Sequence, residues 1–303
     1  MIRVFALLAA AFFFAPTAWA QNEALPPVVV DTQLVTDVDP ALWVLRDDDT
    51  TIYLFGTVHV LRPGLGWFDD NVKSAFDKSD TLVLEMLESS ASDAATVMAD
   101  LSIDKSGHTI RQKLGAEDLI TYEAAVEKLG LAHAALDPLD GWAVAVNLYY
   151  AGLLQKGYDL SSGAEVQLRA AAAASKKPVV GLETMRFQLS IFDNLPENVQ
   201  MDYVTSTAKS IDEIAPQTDR LVDLWAKADT DGVASIMNEG FDTLKLTEVL
   251  LTRRNANWAA WIHQRMAQPG IIFMAVGAGH LAGPASVQQL LTAYDLKVEQ
   301  VRY

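Results

Sequence analysis

The chain has 303 residues, half of them hydrophobic, with 39 acidic against 23 basic side chains and a formal charge of −16. Such an acidic surface repels nucleic acid and anionic membranes, so neither is expected as a partner. The absence of cysteine excludes disulfides, thiolate metal sites and cysteine nucleophiles.

Residues 1–20, MIRVFALLAAAFFFAPTAWA, combine an early Arg3, an apolar run and Ala18-Trp19-Ala20. A positive start, a short greasy middle and small terminal residues form a secretory signal pattern. The run is short for a bilayer span, which takes about 20 residues. The expected location is therefore periplasmic or secreted, without stable membrane insertion after cleavage. Residues 21–40 read as a Pro-containing lead-in, and 41–303 as the folded part, long enough for a large core.

In ALWVLRDDDTTIYLFGTVHVL, two apolar runs flank an acidic cluster, which predicts a β-hairpin of 42–46 and 51–56. TLVLEM (81–86), KPVVGLE (177–183) and GIIFMAVGAG (270–279) predict three more strands. LKVEQVRY (296–303) alternates and predicts a closing one. Helical patterning fills 90–176, including 116–129, 139–155 and 164–177. It fills 197–268 as well, with breaks near Pro216 and at Asp229–Gly232. Strands early and late, with helices between, predict an α/β fold. A central mixed β-sheet would be flanked by helices, with large helical insertions at about 90–176 and 197–268.

One short pattern recurs. FGTVH (55–59) and VGAGH (276–280) both read Gly-x-x-His, with the glycine ending an apolar strand. In open α/β sheets, ligands bind at strand exits. Glu85 ends TLVLE and Glu183 ends VVGLE, at the same expected rim. His59, His280 and Glu85 suit a divalent metal ion with positions left open for water. The same groups suit general-base catalysis without metal, and the spacing does not separate the two.

Other motifs weigh less. GAGHLAG has the glycines of a nucleotide turn, but too little chain follows to complete a dinucleotide-binding unit. Glu183 serves equally well as a helix-entry acid favoured by the dipole. Arg253 and Arg254 open an amphipathic helix; one could bind a substrate carboxylate or oxyanion, or both could lie on a solvated face. His108, His133 and His263 read as structural, and the Trp142, Tyr149, Tyr150 stripe as helix packing. No His-Glu-x-x-His, Gly-x-Ser-x-Gly or Walker loop is present.

Taken together, LWVLRDDDTTIYLFGTVHVL, TLVLEM, KKPVVGLETMRFQL, RRNANWAAWI and FMAVGAGHLAGPASVQQLL resemble the TraB/GumN family, bacterial relatives of the Tiki metalloproteases. The resemblance spans roughly residues 41–303. It implies an exported, metal-dependent, peptidase-like hydrolase acting on a peptide or a small amide or ester. His59, Glu85 and His280 would hold the ion (Mn, Co or Zn). Glu183 would be catalytic and Arg253 a substrate contact; Asn255 lies in the same matching motif. Distant erythromycin-esterase-like relatives use histidine and glutamate without an obligatory metal, so a metal-free hydrolase stays open. So does a non-catalytic periplasmic binding protein, motivated by the aromatic-rich helical insertion.

Overall fold

The computed structural model describes residues 35–87, 90–240 and 247–303. The signal-like segment 1–20 and most of the lead-in at 21–40 lie outside the described residues. Among the described residues, no helix is long and apolar enough to cross a membrane.

The hairpin forms as expected, from β2 (Leu42–Arg46) and β3 (Thr50–Thr57), after a two-residue β1 (Thr36–Asp37). Its register runs from Leu42 opposite Phe55 to Arg46 opposite Thr51. The acidic cluster makes the turn: Asp47 Oδ1 accepts the backbone N–H of Asp49 at 3.2 Å and of Thr50 at 2.8 Å. This is how a short polar side chain replaces a ladder bond in a turn.

Four further strands follow: β4 (Leu65–Gly66), β5 (Thr81–Leu87), β6 (Val179–Thr184) and β7 (Gly270–Gly277). The chain closes on β8 (Glu299–Gln300). The main sheet has six strands in the order β6-β5-β7-β3-β2-β8. β6, β5, β7 and β3 are parallel; β2 is antiparallel to β3 and to β8. The sheet is therefore mixed and the fold α/β.

Alternation along the central strands feeds two cores. Phe55, Leu82, Leu84, Phe273 and Ala275 face one, and Ile52, Leu54, Val83, Ile272, Met274 and Val276 face the other. Strands covered on both faces read as continuous apolar runs, which is why these segments stand out in the sequence. Each such side chain contributes roughly 1.5–3 kcal/mol by leaving water.

The larger helices, in chain order, are α1 (Asp70–Lys78), α2 (Ala91–Ser102), α3 (Ala116–Lys128), α4 (Gly141–Gln155) and α5 (Ala164–Ser175). After β6 come α6 (Met185–Asp193), α7 (Glu197–Lys209), α8 (Ile214–Ala226), α9 (Thr230–Gly240) and α10 (Arg253–Arg265). Trp142, Tyr149 and Tyr150 of α4 are buried in the first core, and Trp258 and Ile262 of α10 in the second. α5 leads into β6 and α10 into β7. A helix that precedes a parallel strand starts on the side where the strands end. The first turns of α5 and α10 therefore sit at the rim that carries the Gly-x-x-His motifs.

Several boundaries differ from the sequence pattern. β7 stops at Gly277, and Ala278–Leu281 forms a 3₁₀ turn. Of the alternating tail, Glu299 and Gln300 pair with Val44 and Trp43. Pro216 lies inside the first turn of α8, where its missing N–H costs no helical bond, and the break falls before it. Thr36–Asp37 and Leu65–Gly66 form a separate parallel pair that no apolar run announces.

Candidate active site at the strand exits

Each parallel strand delivers one side chain to a shared rim. Glu85 lies in β5, two residues before its end, and Glu183 lies one residue before the end of β6. His59 follows β3 by two residues, and His280 sits in the turn after β7. The register aligns Gly56 with Val276 and Thr57 with Gly277, so the two Gly-x-x-His motifs are direct neighbours.

The centre of the cluster is Arg254, in the first turn of α10 and 2% exposed. Its guanidinium forks onto both glutamates. Nε donates to Glu183 Oε1 at 2.9 Å and Nη2 to Glu183 Oε2 at 2.6 Å; Nη2 also bonds Glu85 Oε1. Nη1 donates to the Leu250 carbonyl at 3.0 Å and lies 3.3 Å from His280 Nε2. Gln188 donates to both carboxylates at 2.9 Å, and Trp258 Nε1 to Glu183 Oε1 at 3.1 Å. Five-donor fork geometry is what lets one side chain hold two carboxylates, which a lysine does not reproduce.

The histidines are held differently. His280 is fully buried; its Nδ1 lies 2.5 Å from Asn255 Oδ1, and Asn255 is anchored by donating to the Ala285 carbonyl at 2.8 Å. Asn255 thereby directs Nε2 toward Glu85, whose Oε2 is 3.9 Å away. Burial, with the Arg254 charge adding to it, pushes His280 down to about 3, so the imidazole is neutral at pH 7. His59 Nδ1 lies 2.6 Å from Glu165 Oε1, and its buried Nε2 has no hydrogen-bond partner. Burial opposes the charge on His59, but the Glu165 carboxylate outweighs it and raises the group to about 9. Burial likewise opposes ionisation of Glu85, and Arg254 with the two histidines overrides it, down to about 2.

Three of these atoms meet at one place. A Cβ built on Gly277 would lie 3.4 Å from Glu85 Oε2, 3.5 Å from His280 Cδ2 and 3.9 Å from His59 Nε2. The Gly277 N–H donates to Glu85 Oε2 at 3.1 Å. The glycine that ends β7 thus lets the two histidines and the glutamate approach the same stretch of backbone. His59 and Glu165 are the least covered members, with side chains 12% and 17% exposed.

Of the residues singled out in the sequence, the structure brings His59, Glu85, Glu183 and His280 together. It leaves Arg253 outside: that side chain is 66% exposed and pairs with Glu248 at 2.7 Å. The reason is helical phase. In α10, Arg254 stands four residues before Trp258 and eight before Ile262, on the buried face, and Arg253 falls off it. Glu165, Gln188 and Trp258 belong to the cluster without having been singled out. Glu165 had one available signal: an acid in the first turn of a helix leading into a parallel strand must start at the strand exits. Elsewhere, His108 is exposed and His263 stacks on Tyr294 with ring centroids 4.6 Å apart.

An uncharacterised protein of Treponema pallidum (strain Nichols) is 23% identical over 278 residues, covering 85% of this chain and 82% of its own length. The uncharacterised protein YbaP of Escherichia coli (strain K12) is 22% identical over 252 residues, covering 83% of this chain and 92% of its own. No solved structure matches. The model of the TraB/PrgY/gumN family matches residues 41–300, which include both Gly-x-x-His motifs and every side chain of the buried cluster, and the chain belongs to that family.

Proposed function

We propose that this chain is an exported hydrolase of peptide or small amide or ester bonds, with His59, Glu85 and His280 holding a divalent cation. The observation that carries the reading is the convergence at Gly277: the partnerless buried Nε2 of His59, the ring edge of His280 and a carboxylate oxygen of Glu85 all approach the side where a Cβ would stand.

The donor set fits such an ion in kind. Two imidazoles and one carboxylate are a common catalytic set, with coordination left for water. Charge fits as well. Glu85, Glu165 and Glu183 are largely buried against one guanidinium, which leaves two negative charges before any proton on His59. Among the described residues no group of three His, Asp or Glu side chains is placed to hold a metal ion as the side chains stand, and Arg254 occupies the position at His280 Nε2. Cation binding would replace that hydrogen bond and displace the proton of His59.

A bound divalent ion supplies a lowered water pKa and polarises a carbonyl. The remaining work belongs to the chain. Glu85 is kept ionised by Arg254, so it presents a negative charge to a cation at neutral pH. His280 stays neutral, with Nε2 turned inward by Asn255. Glu183 fixes the guanidinium, and Gln188 ties the Glu183 carboxylate to that of Glu85, so the positive charge is held in place as a reacting group gains negative charge.

A second reading rests on a different observation. Arg254 already satisfies Glu85 and Glu183, and His59 is paired with a carboxylate, as a general base is with the group that orients it. In that reading the neutral form of His59, whose share grows as pH rises toward about 9, takes the proton of an attacking water without a metal. One experiment separates the two: a panel of peptides, amides and esters is assayed with purified protein after chelation and after return of Mn²⁺, Co²⁺ or Zn²⁺. Turnover that needs the ion and disappears in His280→Ala supports the first reading. Turnover that survives chelation supports the second. Absence of turnover, with stoichiometric ligand capture unaffected by His280→Ala, would sink both and leave a binding protein.

A further inference from the structure

We infer that Glu165 is the positioning residue of His59: it holds the ring by Nδ1, so that Nε2 is the atom left to exchange a proton, a cation or a substrate group. The inference deepens the proposed hydrolytic site, since it concerns the same histidine, but it stands on contacts of its own.

Four observations bring Glu165 to this task. First, Oε1 lies 2.6 Å from His59 Nδ1, and the other ring nitrogen has no partner, so this contact alone sets the ring by hydrogen bonding. Second, the carboxylate is itself oriented: Thr57 Oγ1, two residues before His59, donates to the same Oε1 at 2.5 Å. Third, the segment carrying Glu165 is pinned to the strand exit. Ala164 N donates to the Val58 carbonyl at 3.0 Å, and Asp159 N to that of Leu61 at 3.1 Å. Gly163 passes so close to the His59 carbonyl that a Cβ there would collide with it. Fourth, Glu165 lies in the first turn of α5, where the helix dipole favours a negative charge.

The arrangement repeats on the other histidine with different chemistry. Asn255 holds His280 by Nδ1 with a neutral amide, which brings no charge to that imidazole. Glu165 holds His59 by Nδ1 with a full negative charge and makes Nε2 the more basic of the two. A carboxylate behind an imidazole fixes its orientation and raises its basicity, whether the far nitrogen meets a metal or a proton. The two Gly-x-x-His histidines are therefore unequal by construction.

The test uses the full purified protein with Glu165→Gln, Glu165→Ala and Glu165→Asp. Proton–nitrogen NMR of the histidine rings is read first, since it needs no activity. A strongly downfield His59 Nδ1 proton is expected in the wild type, absent in Glu165→Ala and retained in Glu165→Asp. For turnover, Glu165→Gln lowers kcat about 10- to 100-fold with KM nearly unchanged, and Mn²⁺ affinity falls by a similar factor. A His59 ring whose Nδ1 resonance is the same in Glu165→Ala and wild type overturns the inference. A wild type with no turnover and no Mn²⁺ binding, but with the ring effect present, overturns the hydrolase reading and leaves the positioning intact.

Discussion

Replacing Arg254 by methionine removes the cation shared by two glutamates and leaves their carboxylates in place. Arg254 and the Glu85 and Glu183 side chains are 2%, 7% and 7% exposed, so water does not take over the lost bonds. Breaking a buried ion pair by deleting one partner costs about 3–5 kcal/mol. Here one deletion strands two like charges that Gln188 bridges at 2.9 Å each, which places the expected loss at the upper end of that range. In the variant the largest charge opposing burial is gone while the histidines and the Gln188 and Gly277 donors remain, so the folded-state pKa of Glu85 rises from about 2 toward its unfolded value. A smaller downward shift means a smaller loss on acidification, so the variant loses less stability than the wild type as pH falls below about 4.5. Urea unfolding followed by tryptophan fluorescence measures both effects. The neighbouring Arg253→Met removes an exposed pair with Glu248 and costs at most about 1 kcal/mol. If the two variants were equally stable, or Arg254→Met lost stability on acidification as the wild type does, the buried fork would not hold the rim together.

Three other outcomes follow from the geometry. Gly277→Ala places a methyl group at ordinary contact distance from Glu85, His280 and His59, so melting shifts little while cation binding and turnover fall at least tenfold; unchanged turnover would mean that the shared space is not where reaction occurs. Gly163→Ala drives a methyl group into the His59 carbonyl and costs roughly 1–3 kcal/mol by overpacking, read as a lower urea midpoint. For the cation-free protein, His280 and Glu85 both have folded pKa values below their unfolded ones. Their contributions are intact above about pH 6.5 and 4.5 respectively, and are lost as pH falls toward about 3 and about 2. His59, raised to about 9, adds stability as pH falls to about 6.5, so the test is a difference: the midpoint of the wild type relative to His280→Ala should fall from pH 7 to pH 4, and a constant difference would contradict the neutral state assigned to His280.

What could be read from the sequence was whatever a local pattern encodes. Val83, Leu84, Phe273 and Met274 sit in strands covered on both faces, and such strands announce themselves as apolar runs. The repeated Gly-x-x-His stands out because glycine and histidine both end those runs. Side chains brought in by helices were harder to see. Glu165 belongs to an alanine-rich amphipathic segment, where one glutamate looks like solvated surface; its place depends on how α5 docks against the loop after β3. The choice between Arg253 and Arg254 is one of helical phase: Arg254 shares the face of Trp258 and Ile262, whereas the resemblance pointed to Arg253. The β1–β4 pair is two residues a side and has no hydrophobic signature. The tail strand shortens to Glu299–Gln300 because alternation along 296–303 does not say how much of it finds a partner on β2.

The central claim is that His59 and His280 act on one reacting group. A double-mutant cycle on kcat/KM for peptide hydrolysis tests it, with His59→Ala, His280→Ala and the double variant compared at equal folded fraction. Groups that act as a unit are not additive: either single loss costs about as much as both. The account predicts that each single variant loses about 100-fold or more and that the double variant is scarcely worse. Losses that multiply, or a single variant with wild-type kcat/KM, would contradict it.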